Sequence, residues 1–126
     1  WAYETNSLSD YLASLDRVYA LPVELVLPGH RNFQGDLKGR IRELKVHHRE
    51  RADEVLEVLG NKTLNAYEIA AGMTWDIDCE TWEDFPIAQK WFATGEAIAH
   101  LRYLEGEGRI RRNTHQKIVT FSAVHP

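Results

Sequence analysis

Several features that assign a protein to a particular compartment or class are scarce in this 126-residue sequence. Cys79 is the only cysteine, so an internal disulfide is excluded and a reducing, cytoplasmic compartment is the default expectation. The sequence lacks a run of about 18 apolar residues, so it predicts neither a membrane span nor a membrane partner. The formal net charge of −4 gives no general attraction to nucleic acid or to anionic membranes.

Histidines are present, but their spacing does not predict a metal site within the chain. The six are His30, His47, His48, His100, His115 and His125, and no two of them follow a His-x-His pattern. Adjacent helical residues point about 100° apart, so His47 and His48 do not easily share one ion. Because a zinc site needs about four convergent ligands, we expect no cofactor in this chain by itself.

Hydrophobic periodicity predicts four helices. Residues 6–21 and residues 37–59 carry apolar side chains at helical spacing. Asn65 is placed to cap a short third helix, and Pro86 suits the first position of the fourth. The face predicted for the fourth helix contains Ile87, Trp91, Thr94, Ile98, Leu101 and Glu105.

The sequence also predicts short strands. Residues 23–27 form an apolar run that ends at Pro-Gly and is typical of a buried strand. No neighbouring segment can pair its two edges, which indicates that the chain is part of a longer protein. Residues 109–112 and 117–121 are predicted to form a hairpin around a turn at residues 113–116.

The longest predicted helix carries a histidine on its apolar seam. The seam consists of Leu37, Ile41, Leu44, His48, Ala52, Val55 and Leu59. We interpret His48 as a core histidine bonded to a backbone carbonyl. A role as a proton carrier or substrate contact is the alternative.

One histidine follows the predicted strand directly. Leu27-Pro28-Gly29-His30 resembles the closing motif of the metallo-β-lactamase superfamily, which includes glyoxalase II-like hydrolases and some nucleases. The helices that follow are similar in order to the C-terminal winged-helix extension of one branch of that superfamily. Arg31 stands where many members have glycine, and the superfamily's upstream His-x-His-x-Asp-His motif is not in this sequence.

The resemblance implies a fold and a domain division. The expected fold is mainly α with a small β-hairpin, winged-helix-like, preceded by an α/β remnant of a metallo-β-lactamase αββα domain. Residues 1–34 would be the remnant and residues 35–126 the winged-helix-like domain. The winged helix would wall the substrate cleft or form a homodimer interface.

The resemblance also implies a function for the longer protein, a metal-dependent hydrolase with two metals, usually zinc. His30 would be a ligand of the second metal in that protein only. The N-terminal metallo-β-lactamase domain of the same protein would be the partner of this chain. By itself the chain is expected to be inactive, and no catalytic residue is assigned to it.

A group of basic residues lies close to His30 along the sequence. The group is Arg31, Lys38, Arg40, Arg42 and Lys45. Cations at a helix start oppose the helix macrodipole, whereas free N–H groups and cations together make an anion site. We interpret the group as contacts for a small anionic substrate in the longer protein, with a solvated basic face as the alternative.

A second basic group lies on the predicted hairpin. It contains Arg109, Arg111, Arg112 and Lys117. These cations could contact RNA, which makes a nucleic-acid-binding module, or a nuclease of the same superfamily, the alternative function. Charged residues also protect exposed edge strands from aggregation, and the preceding helix offers too few cations to favour duplex DNA.

Overall fold

Side-chain caps determine where three of the helices begin. The computed structural model describes residues 3–32 and 35–125. The helices are α1 (Ser7–Tyr19), α2 (Leu37–Leu59), α3 (Ala66–Gly72) and α4 (Ile87–Gly106), with a 3₁₀ turn at Trp82–Asp84. Asn6 and Asp36 each accept a hydrogen bond from a backbone N–H at the start of α1 and α2, and Asn65 forms a capping box with Glu68 before α3. Each cap satisfies an N–H that has no partner inside the helix.

One apolar core joins α2, α3, α4 and the strands. Its fully buried large side chains include Val55, Leu59, Ile69, Leu101, Leu104 and Phe121. The seam predicted for α2 faces this core over its second half, where Ala52, Val55 and Leu59 are buried. The mainly helical architecture with a small hairpin is confirmed.

The hairpin pairs β1 (Ile110–His115) with β2 (Ile118–Ala123) in antiparallel register. Gln116 and Lys117 form its two-residue turn, with φ of 49° and 66°. The prediction of a turn at residues 113–116 is therefore wrong, because two residues at positive φ suffice to reverse two twisted strands. Leu64 exchanges backbone hydrogen bonds with Phe121 and adds an isolated bridge to the hairpin.

The segment between α1 and α2 differs from its prediction. Residues 23–27 are irregular, and Leu25 and Leu27 are 74% and 83% exposed. The predicted buried strand is wrong for this chain, because no described segment lies beside it to accept its backbone hydrogen bonds. The residues before position 33 that the structure describes therefore contain a helix and no strand.

The buried face of α4 also differs from its prediction. Ala93, Ala97, His100, Leu101 and Leu104 are buried. Ile87 and Trp91, which were expected on the apolar face, are 87% and 63% exposed. Small side chains at positions 93 and 97 let α4 approach α3 closely, and this contact determines how α4 is rotated.

Candidate functional site

His30 lies on the surface, at a cleft beside the start of α2. The cleft has a volume of about 430 Å³, and its lining includes His30, Arg31, Asp36, Arg40 and Glu43. The structure thus brings the predicted metal ligand close to two of the predicted substrate contacts.

Arg31 has a left-handed backbone conformation, with φ of 62°. A non-glycine residue in this region is less stable by roughly 1–2 kcal/mol. This backbone explains why glycine suits the position after the histidine. Arg31 brings a guanidinium to the cleft in its place, and a cation beside His30 favours an anionic ligand.

The basic group predicted to bind substrate is divided among several places. Arg40 lines the His30 cleft and pairs with Glu43 at 3.2 Å. Lys38 lies 5.0 Å above the Tyr19 ring, on a neighbouring cleft.

Arg42 and Lys45 hold α1 against α2. Arg42 donates a hydrogen bond to Tyr19 Oη at 3.0 Å, and Lys45 donates to Asp16 Oδ1 at 2.5 Å. Only Arg31 and Arg40 of the predicted group share the cleft with His30, because the side chains of the other three reach Tyr19 or Asp16 of α1.

A pair of histidines lies between α2 and α4. His48 Nδ1 is 3.3 Å from His100 Nε2, and His100 Nδ1 is 2.9 Å from the Glu96 carbonyl oxygen. The interpretation of His48 as bonded to a backbone carbonyl is therefore wrong, because His48 contacts the His100 ring and His100 contacts the Glu96 carbonyl oxygen. The sequence analysis did not identify His100 as a site residue. Its spacing of three residues from Ala97 would have placed it on the buried face of α4 if that face had been predicted correctly.

Burial and mutual repulsion act on both rings. Burial lowers the pKa of His48, and the neighbouring His100 and His47 lower it further. Burial also lowers the pKa of His100, against an opposing effect of its hydrogen bond to Glu96. Near neutral pH both rings are neutral, which makes the pair a structural contact with acid sensitivity.

Two of the four hairpin cations are paired with carboxylates. Arg112 lies 3.2 Å from Glu105, and Arg109 lies 3.9 Å from Asp53. Arg111 and Lys117 are exposed, with Lys117 in the turn. The hairpin thus presents fewer unpaired cations than its sequence indicated, which weakens the support for RNA binding.

Residues 83–124 match the family described as "Metallo-beta-lactamase-like, C-terminal domain". The crystal structure of a beta-lactamase domain protein from Burkholderia ambifaria is similar to 97% of this chain, with a TM-score of 0.80 and 33% sequence identity. The chain belongs to the C-terminal part of a metallo-β-lactamase superfamily protein. No curated protein matches it.

This metallo-β-lactamase-like chain spans 35% of the length of the Burkholderia protein. Within residues 3–32 and 35–125, no group of three or more His, Cys, Asp or Glu side chains is arranged to hold a metal ion. A metal site that included His30 would therefore need further ligands from outside the described residues. No helix among them has the length and apolar character needed to cross a membrane.

Proposed function

We propose that this metallo-β-lactamase-like chain is the C-terminal part of a metal-dependent hydrolase. The observation that carries the proposal is the similarity to the Burkholderia protein over 97% of the chain. The rest of the longer protein would supply the main metal-binding residues. Residues 35–126 would wall the substrate cleft.

The segment before His30 supports a place for it in the longer protein. Leu25 and Leu27 are largely exposed here, although leucine side chains are typical of a protein interior. Full burial of a large aliphatic side chain stabilises a folded protein by about 1.5–3 kcal/mol. Pairing of this segment with a sheet of the preceding domain would bury them and would position His30 at the end of a strand.

The donor chemistry of His30 fits zinc as one ligand of a larger set. Imidazole nitrogen is a common zinc ligand, and His30 is exposed. When two metals are bound, they supply a hydroxide nucleophile and polarise the scissile group. No catalytic step is assigned to this chain, because the described residues provide only this ligand.

Arg31 and Arg40 give the cleft its selectivity for anions in this proposal. Both cations line it, and its acidic residues Asp36 and Glu43 are engaged with the helix cap and with Arg40. A carboxylate or phosphate group beside His30 would meet two guanidinium groups. Guanidinium suits such ligands because it can donate two parallel hydrogen bonds.

The experiment that tests this function is a hydrolysis assay on the longer protein. Chromogenic thioester, ester, lactone and phosphodiester substrates are compared before and after chelation, and again after zinc is restored. We expect hydrolysis of one class that is lost with the chelator and recovered with zinc. Hydrolysis that persists in the chelated protein, or none of any class in the zinc-loaded protein, would contradict the proposal.

A further inference from the structure

The first half of α4 presents an apolar surface to solvent. Ile87, Trp91 and Phe92 are 87%, 63% and 62% exposed. The rings of Trp91 and Phe92 lie 5.3 Å apart in an edge-to-face arrangement. Since a large aromatic residue has a surface of about 150–250 Å², these two alone expose roughly 200–300 Å².

The surface contains a groove. Tyr3, Trp91, Phe92, Gly95 and Ile98 line a depression of about 590 Å³. A Cβ atom placed at Gly95 would meet nothing within 4 Å, so Gly95 leaves open space in this lining. Aromatic side chains beside open space are suited to receive an apolar side chain of a partner, and exposed apolar patches of this size often mark interaction sites.

The groove is separate from the His30 cleft. Arg51 pairs with Glu96, whereas His48, earlier in α2, contacts His100, later in α4. The two helices are therefore antiparallel, and the groove lies beside the second half of α2. It is about 20 Å along the helix axes from the His30 cleft.

The segment that leads into α4 is acidic, whereas Arg51 and Arg112 beside the groove are paired with Glu96 and Glu105. Residues 74–86 contain five acids and no basic residue: Asp76, Asp78, Glu80, Glu83 and Asp84. All five are exposed, and none forms an ion pair within the described part of the chain. Lys90 donates to the Glu83 carbonyl oxygen at 3.1 Å, which holds the end of this stretch against the first turns of α4.

We propose that the Trp91 groove binds a basic amphipathic helix of a partner protein. The apolar side chains of that helix would enter the groove, and its lysine and arginine residues would lie against the acidic stretch. Helix-in-groove recognition uses this combination of apolar anchors and flanking charge. Complementary charge also selects against partners of the wrong sign.

The same charges disfavour a second copy of the chain as the occupant. A two-fold dimer places the same surface patch of both copies together. Docking through Trp91 would therefore bring two acidic stretches to one interface, which adds like charges where a basic partner would add complementary ones.

The test uses an 18-residue synthetic helix of leucine and lysine, with leucine at positions i, i+3, i+4 and i+7, and a matched peptide with glutamate for lysine. Fluorescence anisotropy measures their binding to the 126-residue chain. We expect saturable binding of the basic peptide that is at least tenfold tighter than binding of the acidic one. Added salt should weaken it, because exposed charges are screened.

Variants identify the binding site. The double variant Trp91→Ser with Phe92→Ser should weaken binding of the basic peptide at least tenfold. The double variant Glu80→Gln with Glu83→Gln should weaken its binding about threefold to tenfold. The matched control, Leu25→Ser with Leu27→Ser, removes exposed apolar residues elsewhere and should change binding less than twofold. All these positions are exposed, so far-ultraviolet circular dichroism should remain unchanged.

Three outcomes would overturn the proposal. One is the absence of saturable binding by the basic peptide. A second is unchanged binding in the Trp91 and Phe92 variant. The third is self-association of the chain, measured by sedimentation velocity, that is lost in the same variant, because a second copy would then be the occupant.

Discussion

His48 Nδ1 and His100 Nε2 lie 3.3 Å apart across the contact between α2 and α4. The second nitrogen of His100 lies 2.9 Å from the Glu96 carbonyl oxygen. Since a carbonyl can only accept, neutral His100 carries its hydrogen on Nδ1 and offers Nε2 as an acceptor. His48 then donates from Nδ1. Two hydrogen bonds in series thus assign the tautomers of both rings and link α2 to the backbone of α4.

This relationship predicts acid sensitivity of the fold. Burial lowers the pKa of both histidines in the folded state, so the unfolded chain binds more protons as the pH falls. Their contribution to stability is complete above the unfolded pKa of about 6.5 and is lost as the pH falls through the lower folded values. Each histidine changes the free energy of unfolding by at most about 1.4 kcal/mol per pH unit.

Urea unfolding at pH 7.5, 6.5 and 5.5 measures this effect. His48→Gln removes one titrating group and should reduce the loss of stability between pH 6.5 and 5.5. His115→Gln, at an exposed position on the hairpin, should keep the slope of the unchanged chain. Equal slopes for all three proteins would show that the histidine pair does not control the acid response.

Arg51 is predicted to be the most important cation for stability. Its guanidinium pairs with Glu96 at 3.1 Å, donates to the Thr74 carbonyl oxygen at 2.8 Å and lies 4.5 Å from the Trp75 ring centre. Arg51→Met leaves these acceptors without a donor and should cost about 2 kcal/mol in chemical unfolding.

Two further variants of the same experiment separate geometry from charge. Arg51→Lys should recover only part of the loss, because lysine cannot reproduce the planar fork. Arg40→Met is the control, since the pair of Arg40 with Glu43 is exposed and should change stability by less than about 0.5 kcal/mol. An equal effect of the two methionine variants would contradict the assignment.

The hairpin turn gives a prediction of increased stability. Gln116 and Lys117 are both at positive φ, where side chains other than asparagine and glycine are disfavoured. Replacing them with Asn-Gly should raise the free energy of unfolding by about 1 kcal/mol at an unchanged urea m value. An Ala-Ala turn keeps both Cβ atoms and should give no gain, and a gain equal to that of Asn-Gly would contradict the role of backbone conformation.

Arg31 gives a kinetic prediction for the longer protein. Arg31→Gly keeps a residue suited to positive φ but removes the guanidinium from the His30 cleft. We expect KM for an anionic substrate to rise roughly tenfold, or about 1.4 kcal/mol, with kcat changed little, because uniform binding acts on both ground and transition states. Lys38→Ala, which lies on a different cleft, should leave KM within twofold. An unchanged KM in both variants would contradict the proposal that the basic group near His30 binds an anionic substrate.

Local signals predicted much of the fold. The bounds of α2 and the Asn65 cap follow from periodicity and from a residue that satisfies a free N–H. Both are properties of a few neighbouring residues. The rotation of α4 could not be predicted in the same way, because the largest apolar residues, Ile87 and Trp91, remain outside while Ala93 and Ala97 pack. Close approach of two helices there outweighs apolar area.

The candidate site was predictable only in part. The motif around His30 indicated the family, and the comparisons confirmed it. The conformation of residues 23–27 was not predictable, because a strand depends on partners from outside the segment. The pairing of His48 with His100 joins residues 52 positions apart and required the rotation of α4.

The most direct test of the account is the metal content of the longer protein, measured by elemental analysis after dialysis. His30→Ala is compared with His115→Ala, an exposed histidine in the hairpin. If His30 is a metal ligand, the first variant should lose one of two bound metals per chain and the second should lose none, while circular dichroism stays the same for both. A full metal complement in the His30→Ala protein would contradict the central claim.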